Sequence, residues 1–118
     1  KVDLKKAGIF AITEGASLLA LENNLDEGTT WDKLEKLGQA GILSKKCSET
    51  ISEAFSQLVH FRLKKQLSDL AAGKTPSNAI DPQRLPEKEQ GQLREALRGV
   101  NRLMRIIRDR YHLDSISR

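Results

Sequence analysis

The chain has 118 residues, 31% of them charged and 38% apolar, with a formal net charge of +4 and an isoelectric point of about 9.4. That length is one domain with room for one hydrophobic core. No uncharged run approaches the ~20 apolar residues of a membrane-spanning helix. A single cysteine, Cys47, excludes an internal disulfide framework and fits a reducing, cytoplasmic setting. The opening Lys1, with no secretory leader behind it, suggests a single domain spanning residues 1–118, cut or processed from a longer protein.

Strand signals are weak, because the aromatics are few and no stretch alternates apolar with polar β-branched residues. Helix formers dominate, and Pro76, Pro82 and Pro86 are confined to one short window. The pattern predicts an all-α, four- to five-helix up-and-down bundle. The first helix is expected from about Asp3, as N-cap, to Asn23. Ile9, Ile12, Ala16 and Leu19 line its apolar face, and Gly8, Ala11 and Gly15 form a small-residue seam beside it. Each glycine there costs about 1 kcal/mol in helix propensity, which close approach of a second helix would offset; a kink is the alternative.

After a loop over Leu25–Gly28, Thr29 or Thr30 caps a short second helix that buries Trp31, Leu34 and Leu37 and stops at Gly41. Ser44 caps a long third helix running to about Ala72 and closed by Gly73. Its stripe is Ile51, Phe55, Leu58 and Phe61, widened by Val59, Leu63, Leu67 and Leu70. Residues 74–85 form a loop, with Asp81 and Pro82 placed to start one helical turn. Pro86 opens a fourth helix to about Leu113. Its seam of Leu93, Leu97, Val100, Met104, Ile107 and Tyr111 follows a heptad, and the tail after Asp114 is expected to fray. Phe55, Leu58, Leu97, Val100 and Met104 are the expected core.

Catalytic chemistry finds no purchase in this pattern. Gly73-Lys74-Thr75 has the look of a phosphate-loop ending, but Ser68 stands where the first glycine belongs, and the segment follows a helix rather than a strand. His60, His112 and Cys47 show no metal-ligand spacing. Glu87 and Glu89 are explained by the dipole of a helix N-terminus, and no Asp-x-Asp pair is present to hold Mg²⁺.

Two features remain as candidate sites. Within residues 93–112 six arginines face Glu95 and Asp109 alone. Arg94, Arg98, Arg102 and Arg105 fall on one strip of the fourth helix, either as a solvated face or as a docking surface for an acidic domain or a nucleotide. Nucleic acid is the weaker alternative, since no aromatic is interleaved for stacking. On the third helix Arg62 and Gln66 continue the apolar stripe. An arginine there must find carbonyl or carboxylate partners, and the loop offers Asn78 and Asp81. These four residues form either a structural clasp on the loop or a polar ligand-binding pocket.

Short stretches in order along the chain also carry a likeness. They are Asp3-Leu4-Lys5-Lys6 with Gly8-Ile9-Phe10, Glu14-Gly15-Ala16 with Leu18-Leu19-Ala20-Leu21, and Glu53-Ala54-Phe55. Arg62-Leu63 with Gln66, Gly73 with Pro76 and Asn78, and Leu93 with Glu95-Ala96 complete the series. Together they resemble the C-terminal nucleotidyltransferase substrate-binding domain of bacterial signalling proteins that join cyclic-nucleotide-binding and CBS modules to a nucleotidyltransferase. Ser17 stands where that family favours arginine, and Met104 where it often has glutamine. The resemblance implies a helical bundle that follows a catalytic domain in the same chain. The Mg²⁺ carboxylates and the nucleoside triphosphate site belong to that catalytic domain, so no cofactor is expected in this one. It further implies a protein or nucleotide substrate, and full-length relatives similar to enzymes that uridylylate a nitrogen-regulatory protein. A helical dimerisation or scaffold module, acting as a homodimer without ligand, is the alternative.

Overall fold

A computed structural model describes residues 1–111. The expected end of the fourth helix near Leu113, with His112 and the tail after Asp114, lies outside the described residues. Four helices make up the body: α1 (Phe10–Glu22), α2 (Thr30–Gln39), α3 (Lys45–Ala71) and α4 (Glu87–Tyr111). A π-helical turn over Lys5–Ile9 leads into α1, and a 3-10 turn over Pro82–Arg84 precedes α4. The fold is all-α, save for one small feature that residue patterning did not predict. Val2–Asp3 (β1) pairs antiparallel with Ala79–Ile80 (β2), Val2 opposite Ile80 and Asp3 opposite Ala79.

Side chains at the helix ends explain where the elements start and stop. The Asp3 carboxylate accepts hydrogen bonds from the backbone N–H of Lys5 and Lys6, both at 3.0 Å, and so satisfies two of the orphan donors of the first turn. Thr29 and Asp32 form a reciprocal capping box on α2. Ser44 Oγ accepts from Cys47 N–H at 3.0 Å on α3. The C-terminal ends of α1, α2 and α3 share one device. Asn24, Gly41 and Gly73 stand at φ of 58, 76 and 72°. In each case the following N–H returns to the carbonyl five residues back: Leu25 to Ala20, Ile42 to Leu37, Lys74 to Asp69. Only glycine or asparagine takes that left-handed conformation readily, so these residues fix the length of each helix.

Packing follows from the small residues. A Cβ on Gly8 would stand 2.5 Å from Leu58 Cδ1, and one on Gly15 would stand 2.6 Å from Ile107 Cδ1. The seam on α1 is therefore the close approach of α3 and α4. Gly15 lies against Met104 and Ile107, while Glu22 reaches Arg110 and Tyr111, so α1 and α4 run in the same sense. α4 runs against α3, with Gly99 at Ala54 and Glu89 at Lys64. α2 also runs against α3: Trp31 stacks edge-on to Phe55, and Gly38 admits Ser48, whose buried hydroxyl donates to Leu34 C=O at 2.6 Å. Leu4, Ile12, Leu19, Leu34, Leu37, Ile51, Leu58 and Leu103 are fully enclosed.

Two expectations about faces are corrected. On α4 the buried seam is Leu93, Ala96, Val100, Leu103 and Ile107, while Leu97 and Met104 are only half-buried. The cause is Gly99. It must face Ala54 for α3 and α4 to meet, and this turns Ala96 and Leu103 inward, moving the heptad reading part-way round the helix. On α3 the widening residues Leu63, Leu67 and Leu70 are exposed, as is much of Trp31 on α2.

Candidate functional site

The Arg62 cluster is built on the second half of α3, where helical spacing stacks Arg62, Gln66 and Asp69 on one face. Arg62 Nε donates to Asn78 Oδ1 at 2.8 Å, and Gln66 Nε2 donates to the same oxygen at 3.2 Å. Asn78 in turn accepts Leu4 N–H at its backbone carbonyl, at 2.8 Å. One asparagine thus joins α3, the proline-containing loop and the entry of the chain, next to the β1–β2 pair. Arg62, Gln66 and Asn78 are half-buried, and no buried side-chain donor or acceptor among the described residues is without a partner.

Asp81 does not join them. It accepts from Gln83 N–H at 3.1 Å and stands 3.8 Å from Arg84, because its place before Pro82 commits it to capping the 3-10 turn. Its role on the loop is taken by a residue the sequence reading passed over. Asp69 is buried, pairs with Lys65 Nζ, and accepts Ser77 N–H at 2.9 Å. The Lys65 ammonium, helped by the Ser77 amide, holds its carboxyl below the ordinary value against the opposing pull of burial. The signal was available: 62, 66 and 69 follow the same i, i+4, i+7 spacing that identified the stripe.

The second feature is an open groove of about 970 Å³ between α3 and α4. Ala54 and Ala96 form its floor, and their small size, with Gly91, is what leaves it open. Glu49 and Glu53 stand on the α3 wall, and Arg94, Glu95 and Arg98 on the α4 wall. Arg98 is paired with Glu95 on its own helix. All four arginines of the strip are exposed, but the fold divides them. Arg94 and Arg98 line the groove, whereas Arg102 and Arg105 continue along α4 outside it. Both walls carry both signs of charge, with Lys46 beside Glu49 and Glu53 on α3 and Glu95 beside Lys88, Arg94 and Arg98 on α4, and no aromatic ring lines the groove.

Among the described residues, no three His, Cys, Asp or Glu side chains come together to hold a metal ion, and Cys47 is buried. No helix among them is long and apolar enough to cross a membrane.

Compared with known proteins, the chain matches neither a curated protein nor a solved structure. One family model matches residues 1–111, with the description "Putative nucleotidyltransferase substrate binding domain". A match that runs from β1 through the whole of α4 takes in both the Arg62–Asn78 cluster and the α3–α4 groove. The chain belongs to this nucleotidyltransferase substrate-binding family.

Proposed function

We propose that the domain holds the acceptor substrate of a nucleotidyltransferase domain, and that the acceptor lies in the α3–α4 groove. The observation that supports this reading is the groove itself, a wide charged cleft on a chain of this family. Catalysis belongs to the partner domain in the same protein, which supplies Mg²⁺ and the nucleoside triphosphate. Arg94 and Arg98 contact the substrate. Arg102 and Arg105 extend the basic strip and steer an acidic partner towards it. In this reading the Arg62, Gln66 and Asn78 cluster is a clasp that fixes the loop rather than a ligand pocket, since Asn78 Oδ1 already takes Arg62 Nε and Gln66 Nε2. The acceptor is a protein and the transferred group uridylyl, in a cytoplasmic bacterial signalling protein that also carries cyclic-nucleotide-binding and CBS modules.

The test is transfer of label from UTP and, separately, ATP to candidate acceptor proteins by the full-length protein with Mg²⁺. Reversal of charge at Arg94 and Arg98 is expected to raise KM for the acceptor with little change in kcat, because the two side chains bind rather than react. An unchanged KM removes the groove from the function, and label from ATP alone removes the uridylyl assignment.

A further inference from the structure

α3 carries an apolar face that the bundle does not cover. Ser52, Ser56, Val59, Leu63 and Leu70 share one side of the helix by spacing, with Leu67 beside them. α2 covers the upper part of this side and begins at its lower edge, with Trp31 Nε1 bonded to Ser56 Oγ at 2.8 Å. The residues beneath the start of α2 are small serines. Those beyond it, left largely exposed among the described residues, are leucines. Leu63, Leu67 and Leu70 are 54, 58 and 60% exposed, and Trp31 at the edge of the same side is 41% exposed. Single exposed leucines need no explanation, but a row of three continuing from a half-exposed tryptophan is a patch.

We infer that this face is where the nucleotidyltransferase domain docks, which rests on the reading of the chain as that domain's substrate-binding partner. Two observations favour this occupant over a second copy of the chain. The first is size. The four side chains expose roughly 300–400 Å², within the range of a functional patch on a monomer and well short of the ~800 Å² per partner of a stable interface between free proteins. A domain joined by a linker docks at high effective concentration and holds on a smaller contact. The second is charge. Residues 59–75 hold Arg62, Lys64, Lys65 and Lys74 against Asp69 alone. An antiparallel pairing of two copies about Leu67 would set His60 against Lys74, and the one opposite-charge pair it offers, Lys65 with Asp69, uses a carboxylate that is buried and already held by Lys65 of its own helix. The fitting partner is an apolar helix face with an acidic rim, laid along α3. The face lies well round α3 from the groove, on the side of α2, so docking there leaves the acceptor seat open.

Hydroxyl-radical footprinting tests this, with the 118-residue chain alone compared with the full-length protein that contains the nucleotidyltransferase domain. Labelling of Leu63, Leu67 and Leu70 is expected to fall several-fold in the full-length protein, with Leu21, exposed on α1, unchanged. Leu67→Glu should abolish that protection, and circular dichroism of the variant checks its fold. Protection confined to the arginine strip would overturn the inference while leaving the two-domain reading in place. Absence of protection anywhere would overturn both. Protection that appears in the isolated chain as its concentration rises, with a dimer in sedimentation, would overturn it in favour of a second copy.

Discussion

Gly99→Ala and Gly91→Ala are the same substitution on the same helix, and the structure assigns them opposite signs. In a helix interior alanine is favoured over glycine by about 1 kcal/mol. At Gly91 the nearest atom to the added Cβ is the far end of a flexible side chain, Arg94 Nη2, at 3.9 Å. The variant should gain most of that propensity. At Gly99 the added Cβ would stand 2.6 Å from Ala54 Cβ, about an ångström inside the ~3.5–4.0 Å optimum for two carbons. Ala54 has no rotamer by which to retreat, so α3 and α4 must separate. Overpacking of this kind costs about 1–3 kcal/mol, and the rigid neighbour puts Gly99→Ala at the upper end. The expected net is about 1–2 kcal/mol of destabilisation, which leaves the two variants about 2–3 kcal/mol apart. At roughly 3–6 °C of Tm per kcal/mol for a domain of this size, the separation is easily measured by thermal or urea unfolding followed by circular dichroism. Trp31, the one tryptophan, packs on Phe55 beside Ala54 and reports the same unfolding by fluorescence. Ala54→Gly in the Gly99→Ala background should recover stability, since it removes the opposing methyl. A Gly99→Ala variant at least as stable as the parent, or a failure of Ala54→Gly to recover it, would refute the close contact.

Four further outcomes are expected. Arg62→Ala should lose about 1–2 kcal/mol in urea unfolding. Its partner is the neutral amide of a half-buried Asn78, so the loss is below the ~3–5 kcal/mol of a broken buried ion pair and near that of one charged hydrogen bond. Asp69 has its carboxyl held below the ordinary value in the folded protein. Its contribution is therefore complete above the unfolded value near 3.8 and lost as pH falls through the lower, folded one; Asp69→Asn should flatten that acid limb in urea midpoints measured against pH. Tyr111, the one tyrosine, has its ionisation raised by its hydrogen bond to Glu22, then by burial and the Glu22 charge. Ultraviolet titration should place it above 10.0, and Glu22→Gln should bring it down. Leu58→Ala should cost about 2–5 kcal/mol and Leu67→Ala less than about 0.5 kcal/mol, a contrast read by the same unfolding assay.

Element boundaries were legible because local chemistry sets them. Ser44, Gly41, Gly73 and the Asp81-Pro82 pair act through their own backbone neighbours, and each stands where its residue type predicts. The faces were less legible because they depend on partners. The α4 heptad of Leu93, Leu97, Val100 and Met104 is sound as a pattern of large residues. Yet the contact that orients α4 is made by Gly99, a residue with no side chain to count. The β1–β2 pair was beyond reach for a related reason. Two residues on each side give no alternation to detect, and the bond that continues the pairing, Leu4 N–H to the Asn78 carbonyl, is between backbone groups that no residue pattern marks.

The same distinction orders the candidate sites. Arg62, Gln66 and Asn78 were found from one rule, that a polar group on an apolar stripe must be satisfied, and that rule identifies clasps and pockets alike. What separates the two is whether the partners are already supplied. Here the Asn78 carboxamide takes both donors, and Asp69 takes the Lys65 ammonium and the Ser77 amide. Those bonds join α3 to the loop, and the clasp proposed above rests on them. The groove is the reverse case. Glu49 and Glu53 line the α3 wall and Arg94 and Arg98 the α4 wall over Ala54 and Ala96, and among the described residues no ion pair joins the two walls, Arg98 pairing with Glu95 on its own helix. The reading proposed above gives these charges to an acceptor carrying both signs of charge, on a chain of the substrate-binding family, and on that reading it is on the α3–α4 groove rather than the Arg62 cluster that substitutions should separate binding from folding.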